Sequence, residues 1–151
     1  ELWFSDYGVE LSRGFRALKA WMALKEHGAA RFGRIVLRNV EQARLLEALV
    51  KAEPALELLA PVSLNIVCFR YRGGLADEVA LDALNRELLL RLHEGGVAAP
   101  SYATVRGRYA LRACITNHRT RDEDLVVFCR ETVRLGRGLE AEGAGGDPST
   151  P

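Results

Sequence analysis

The side chains that most often carry catalysis are few in this sequence, and they are not grouped. A protein zinc site requires closely spaced histidine, cysteine or carboxylate ligands. The histidines have no Glu or Cys at such spacing, and the cysteines lie far apart in apolar stretches: His27, His93 and His118; Cys68, Cys114 and Cys129. We therefore predict structural or surface histidines, buried free thiols and no metal site.

Motifs for nucleotide binding and for acyl transfer are also absent. The sequence has no Gly-x-x-x-x-Gly-Lys, Gly-x-Gly-x-x-Gly or Gly-x-Ser-x-Gly stretch. Its lysines, Lys19, Lys25 and Lys51, lie in segments with helical periodicity, and none follows a His. Each is predicted to be a solvated helix charge, so none is a candidate for covalent binding of a carbonyl compound.

One short stretch has a pattern found in platforms for single-stranded nucleic acid. Phe69-Arg70-Tyr71-Arg72 places two aromatic rings on one strand face and two arginines on the other. The overall charge argues against that partner, because 21 Lys and Arg are balanced by 20 Asp and Glu. An ordinary amphipathic strand is favoured, and a free-standing ferredoxin-like module that binds a small ligand or RNA is the alternative.

Helical and strand periods alternate along the chain. Apolar residues three and four apart predict four helices, over 12–27, 32–52, 81–92 and after the capping box Thr120-Arg121-Asp122-Glu123. Short β-favouring runs predict strands over 56–60, 64–71, 102–106 and 109–116. In the last strand, Arg112 falls on the face opposite Leu111 and Ala113.

This order of elements favours an α+β fold in which helices cover one face of a small, mainly antiparallel sheet. We predict a linker and first helix over 1–30, a small α+β domain over 31–142 and a disordered tail over 143–151. The second sheet face would then be bare. We expect a partner or a further part of the chain to cover it, over residues such as Asn65, Phe69, Tyr71 or Arg112.

Length and composition describe one soluble globular domain. With 151 residues, 48% of them hydrophobic and 27% charged, the chain can bury roughly 70% of its unfolded surface. It has no run of about 18 apolar residues and no signal-peptide pattern at its start. We predict a cytoplasmic protein with no nucleic-acid or membrane partner. Because the first residue is not Met, we also expect it to be a fragment of something longer.

Three blocks of the sequence, taken together and in order, carry a family resemblance. They are Leu11-Ser12-Arg13-Gly14-Phe15-Arg16-Ala17-Leu18-Lys19-Ala20-Trp21, Leu64-Asn65-Ile66-Val67-Cys68-Phe69-Arg70 and Tyr109-Ala110-Leu111-Arg112-Ala113-Cys114-Ile115-Thr116-Asn117. With these blocks, the chain resembles the pyridoxal-phosphate-dependent amino-acid decarboxylases, a group that includes the aromatic-amino-acid, histidine and glutamate decarboxylases. The resemblance runs from about Asp6 to Leu135.

The resemblance implies the carboxy-terminal small domain of a fold-type I pyridoxal-phosphate enzyme, preceded by a linker helix. Relatives bind the cofactor in a large amino-terminal domain, through a His-Lys pair and an Asp at the pyridine nitrogen, and this sequence contains none of that domain. The implied full-length protein is a homodimeric carboxy-lyase that releases CO2 from an L-amino acid, with aromatic substrates favoured. This chain alone is predicted to be inactive and to bind no cofactor.

Two positions are implied to face the substrate. Ser12 matches a small Gly or Ser near the bound substrate, and it equally suits the N-cap of the first helix. Arg112 matches an arginine directed toward the substrate carboxylate, for which the paired donors of a guanidinium are suited. An inter-domain salt bridge or an exposed strand charge is the other interpretation of Arg112.

Two further points stay open in the sequence. Gly14 replaces the long side chain that many relatives have there, and glycine costs about 1 kcal/mol relative to alanine inside a helix, so a loose first turn is predicted. An aldehyde-forming oxidative decarboxylase of the same family is a second possible activity, because the residue that commonly decides between the two reactions belongs to a catalytic loop outside this sequence.

Overall fold

The computed structural model describes residues 3–7 and 14–144. A 3-10 turn over Phe4–Tyr7 comes first. The helices are α1 (Arg16–His27), α2 (Ala29–Ala52), α3 (Glu78–Glu94) and α4 (Asp122–Ala144), and the strands are β1 (Leu56–Leu58), β2 (Ile66–Tyr71), β3 (Ser101–Val105) and β4 (Arg108–Cys114). The order of helices and strands is the one predicted. The chain divides into two compact units, one ending at Ile35 and the other beginning at Val36.

The first long helix begins four residues later than its periodicity predicts. Phe15 occupies the N-cap position of α1, without a side-chain cap, so the prediction that Ser12 caps this helix is wrong. The backbone amide of Arg16 instead donates to the Gly14 carbonyl at 2.8 Å. Glycine disfavours a helical first turn, which explains the late start. At the other end Gly28, with φ 74°, terminates α1 at the residue where the predicted helix ends.

The four strands form one antiparallel sheet in the order β1-β2-β4-β3. Its centre is the pairing of β2 with β4, in which Phe69 lies opposite Leu111 and Cys68 opposite Arg112. β3 and β4 are joined by a tight turn at Arg106 and Gly107, whose φ angles are 53° and 81°. Two successive positive φ angles are typical of the hairpin turn whose twist suits paired strands, and glycine allows one of them without strain.

One face of the sheet packs against helices and forms the core. Val67, Phe69 and Leu111 of the sheet are fully buried and belong to one apolar cluster with residues of α2, α3 and α4. The Phe69 and Phe128 rings meet edge to face, with 5.5 Å between their centroids. Burial of each such side chain contributes about 1.5–3 kcal/mol to stability, so this face holds the sheet and helices together. The predicted α+β architecture is confirmed.

Two residues expected on the bare sheet face lie on the covered one. Phe69 and Tyr71 are 0% and 1% exposed, because the pairing of Phe69 with Leu111 turns both rings toward the helices. The nucleic-acid platform, which was the less favoured interpretation of these residues, is therefore wrong, since neither ring is accessible for stacking on a base. Asn65 is half-buried just before β2, where its side chain donates to the Ile115 carbonyl at 2.9 Å.

The last helix is shifted slightly from its predicted ends. Its capping interaction runs from the Arg121 backbone amide to Asp124 Oδ2 at 2.8 Å, so Asp124 closes the first turn where Glu123 was expected. The reason is that α4 begins at Asp122, one residue later than a cap at Thr120 requires. At its other end α4 extends to Ala144. The rest of the predicted tail, 145–151, lies outside the described residues.

Candidate functional site

The sheet face turned away from the helices carries most of the strands' polar side chains, and we call it the open face. Its members are Glu57, Cys68, Arg70, Ser101, Arg108, Arg112 and Cys114. Strand residues alternate between the two faces, so the register decides which of these become neighbours. It places Cys68, Arg112 and Ser101 in one row across β2, β4 and β3. The prediction that Arg112 lies opposite the core side of β4 is confirmed.

One end of the open face is closed by ion pairs, which we call the Arg70 cluster. Arg70 is 1% exposed, and its Nε donates to Glu57 Oε2 at 2.8 Å. Its two terminal nitrogens donate to the Glu78 carboxylate at 2.6 and 3.1 Å, and Arg108 donates to Glu57 at 3.1 Å. The hydrogen bond from Arg70 holds the pKa of Glu78 below its usual value. The cluster therefore ties the start of α3 to the sheet. Its two arginines and two glutamates neutralise one another.

Sequence reasoning did not single out Glu57 or Glu78. Glu57 lies opposite Arg70 in the pairing of β1 with β2, and Glu78 is the first residue of α3. Only the alternation of a three-residue strand marks Glu57 as facing the same way as Arg70. The ion pairs therefore depend on the strand register, which the sequence pattern does not specify.

Arg112 lies further along the open face, and its hydrogen-bond partner is a hydroxyl and not a carboxylate. Its side chain is half-buried, and Nη1 donates to Ser101 Oγ at a long 3.3 Å. Arg70 and Arg108 both have carboxylate partners, whereas none of the carboxylates in residues 14–144 lies within ion-pair distance of Arg112. A guanidinium held on an open surface beside one weak acceptor can bind an anion supplied from outside this part of the chain.

The surroundings of Cys68, opposite Arg112, do not activate its thiol. Burial raises the pKa of the Cys68 thiol above its usual value, and the positive charge of Arg112 only partly opposes that effect. The thiol is therefore protonated at neutral pH, and a protonated thiol attacks poorly. The prediction of buried free thiols is confirmed for Cys129. Cys68 is only partly buried, and the prediction is wrong for Cys114, which is exposed at the end of β4.

The predicted structural role of two histidines agrees with their contacts. His93 Nε2 bonds to the Pro100 carbonyl at 2.8 Å, and the His27 ring packs 6.3 Å from the Phe32 ring. Over residues 3–7 and 14–144, no three His, Cys, Asp or Glu side chains gather as metal ligands would. None of the helices in those ranges is long and apolar enough to cross a lipid bilayer.

Two lysines of the described residues have contacts on their own helices. Lys51 is paired with Glu47 at 2.7 Å on α2, and Lys25 lies 5.9 Å from the centre of the Trp21 ring on α1. Two aspartates accept hydrogen bonds from backbone amides, Asp77 from Ala80 and Asp82 from Tyr109. That a cofactor lysine and a carboxylate for a pyridine nitrogen belong to another part of the protein stays a prediction.

Only one of the two predicted site residues, Arg112, lies in the part of the chain that the structure describes. Arg112 has the geometry described above, whereas Ser12 lies outside the described residues. Whether Ser12 and Arg112 act in one site therefore stays a prediction.

Comparison with known proteins relates this chain to one family. Residues 3–72 match the pyridoxal-dependent decarboxylase conserved domain. Tryptophan decarboxylase 1 of Oryza sativa subsp. japonica is 35% identical over 114 residues, which cover 73% of this chain and 22% of the rice protein. Aromatic-L-amino-acid decarboxylase of Bacillus atrophaeus is 32% identical over 89% of this chain and 28% of its own length.

Other similar proteins extend the comparison to a second activity and to structure. Phenylacetaldehyde synthase of a Rosa hybrid cultivar is 31% identical over 82% of this chain and 26% of its own length. The structure of Oryza sativa TDC with PLP and tryptamine superimposes with a TM-score of 0.75 at 30% identity, over 93% of this chain and 29% of that one. The chain thus spans less than a third of the length of each of these four proteins.

Proposed function

This chain belongs to the pyridoxal-dependent decarboxylase family and is a partial segment of such enzymes, and from that premise we propose that it is the carboxy-terminal part of an amino-acid decarboxylase. In this proposal residues 31–142 form the small domain, and residues 1–30 link it to a large amino-terminal domain that holds pyridoxal phosphate. The full-length enzyme is a cytoplasmic homodimer that releases CO2 from an L-amino acid. The 151-residue chain alone is inactive, because it lacks the cofactor lysine.

Aromatic amino acids are the proposed substrate class. The support comes from the relatives, since tryptophan decarboxylase 1 and aromatic-L-amino-acid decarboxylase are both more than 30% identical to this chain. Pyridoxal phosphate, when bound, supplies the electron sink that accepts the electrons released with CO2. What this chain adds is positioning of the substrate and of the domain that holds the cofactor.

The guanidinium of Arg112, to which residues 14–144 supply no carboxylate, is the observation that carries the proposed role of this chain. Arg112 faces away from the core, and its partner among those residues is the Ser101 hydroxyl at a long 3.3 Å. In the proposal it binds a carboxylate of the substrate or next to it, and thereby orients the group that leaves as CO2. The hydroxyl of Ser101 keeps the guanidinium on the row shared with Cys68. Ser12, near the bound substrate, limits the size of the side chain that fits.

The test uses the full-length protein with a panel of aromatic, acidic and imidazole amino acids, with CO2 release and amine formation as the readouts. We expect release from the aromatic substrates and none from the isolated 151-residue chain. Absence of cofactor absorbance and of CO2 release in the full-length protein would refute the proposal.

Arg112→Gln tests the role of the arginine in that enzyme. Loss of a charge-assisted hydrogen bond of about 1.5–3 kcal/mol predicts a KM higher by about 10- to 150-fold. Arg44→Gln, on the exposed side of α2, is the matched control and should leave KM unchanged. If Arg112 forms only an inter-domain salt bridge, Arg112→Gln will lower the melting temperature without a selective change in KM, and the proposed role will be wrong.

An oxidative, aldehyde-forming reaction is the second candidate. Its support is the phenylacetaldehyde synthase of the Rosa hybrid cultivar, which is 31% identical to this chain. The two reactions differ in products and in oxygen demand. Stoichiometric O2 consumption with an aldehyde product in the same assay would select the synthase, and an amine formed without O2 would select the decarboxylase.

A further inference from the structure

Among the described residues of the first unit, four apolar side chains form an exposed stripe. Four side chains at helical spacing are exposed, Phe15 by 71%, Leu18 by 39%, Trp21 by 58% and Met22 by 57%. None of the residues of α1 is buried. We call these four residues the α1 stripe.

A helix with this surface needs a partner to be stable. α1 has only 12 residues, and isolated helices of that length are marginal in water. Most helix stability in proteins comes from packing of an apolar face, and α1 has such a face without the packing. A contiguous exposed stripe of this kind marks an interaction surface.

The size of the stripe favours contact with another part of the same chain. An aromatic side chain buries about 150–250 Å2, so the four residues offer roughly 500 Å2 and a contact of about 1,000 Å2 in total. That value lies within the range of about 600–1,500 Å2 for contacts between domains of one chain. It falls short of the roughly 1,600 Å2 of a standard interface between separate proteins.

Charge argues against pairing of two α1 helices. α1 contains three basic residues, Arg16, Lys19 and Lys25, and one acidic residue, Glu26, so its net charge is +2 with His27 neutral. Two copies packed side by side would bring these like charges together. Lys25 also lies over the Trp21 ring, at the stripe itself. The partner surface should therefore be apolar with acidic residues at its rim.

We propose that the α1 stripe packs against an apolar, acid-rimmed surface of the part of the same decarboxylase that holds the cofactor. The inference rests on the proposed function for the identity of that part. Its own support is the unpacked stripe, the area and the charge, together with a family match that includes α1 while the chain spans 22–28% of its relatives' length.

The experiment measures how fast a cysteine placed in the stripe reacts with a maleimide. Met22→Cys is made in a Cys114→Ser background, in both the 151-residue chain and the full-length protein. Val79→Cys, in the exposed start of α3, is the matched control. We expect Met22→Cys to react at least about tenfold more slowly in the full-length protein, because labelling would require local opening. The control should react equally fast in both.

Equal labelling of Met22→Cys in both proteins would overturn the inference. Protection in the 151-residue chain that grows with protein concentration, with a dimer seen by sedimentation, would also overturn it and identify a second copy as the occupant. Cofactor absorbance and CO2 release test the proposed function separately. Protection in a full-length protein that lacks both would refute the decarboxylase function while the contact of α1 with the rest of the chain stands.

Discussion

Gly136 of α4 is a position where one added methyl group should destabilise this domain. A Cβ at Gly136 would lie 2.5 Å from Cγ and 2.7 Å from Cε2 of Tyr71, closer than side-chain carbons approach one another. The ring has little room to move. The Tyr71 hydroxyl donates to Glu140 at 2.6 Å, and its backbone amide donates to Asn85 at 2.8 Å.

The magnitude follows from two opposing effects of Gly136→Ala. Forcing an extra methyl into a packed site costs typically about 1–3 kcal/mol, and a ring pinned at both ends favours the upper part of that range. Replacing glycine by alanine inside a helix returns about 1 kcal/mol. We therefore expect a net loss of about 1–2 kcal/mol in the free energy of unfolding.

Gly138, two residues further along α4, is the matched control because nothing lies within 4 Å of its added Cβ. Gly138→Ala should raise the free energy of unfolding by up to about 1 kcal/mol. Urea denaturation followed by circular dichroism measures both variants, and the midpoints should move in opposite directions. The double variant Gly136→Ala, Tyr71→Leu should recover part of the loss if the clash is with the ring. Equal effects at the two glycines would refute the packing argument.

Three further predictions concern the open face, the Tyr71 contact and the thiols. Arg70→Met should destabilise the domain by about 2–3 kcal/mol in urea, because Glu57 and Glu78 lose their buried partner and keep only the exposed Arg108 beside them; a loss below about 0.5 kcal/mol would contradict the Arg70 cluster. The Tyr71 hydroxyl, followed by the Gly74 amide, lowers the pKa of Glu140 from its usual 4.5, so that carboxylate stabilises the fold above pH 4.5 and loses its effect as the pH falls through the folded pKa. Tyr71→Phe should therefore flatten the acid side of the stability profile measured by thermal melts between pH 3 and 6, and an unchanged slope would be evidence against it. Exposed Cys114 should react with a thiol reagent in the native protein, whereas burial and then Glu53 raise the pKa of Cys129 to about 12; fast native labelling of Cys129 would be inconsistent with the core.

The order of elements and the faces of β4 were predictable because they depend on local periodicity. Arg112 was expected opposite Leu111 and Ala113, and it lies there. A seven-residue strand with clear alternation determines its own two faces wherever it pairs. The same reasoning failed for Phe69 and Tyr71, because alternation shows that two residues share a face without showing which face the helices cover.

The start of α1 and the thiols show two other limits. Apolar spacing extends across Gly14, but α1 begins only at Arg16, because glycine is unfavourable in a helix. The spacing of apolar residues does not include that backbone cost. Cys114 lies in an apolar stretch and is nevertheless exposed, because it falls on the open face at the end of β4. Neighbouring residue types describe the segment, whereas exposure depends on which elements pack over it.

Sequence alone determined the helix and strand order, the α+β class and the family, because these follow from local periods and from residue types at fixed positions in three blocks. Tertiary structure decided which sheet face is buried and which arginines are paired. Glu57 and Glu78 are 13 and 8 residues from Arg70, and they meet it only through strand pairing and the placement of α3. Ion pairs depend on distances of a few ångströms between segments, and the pattern within any one segment does not contain those distances.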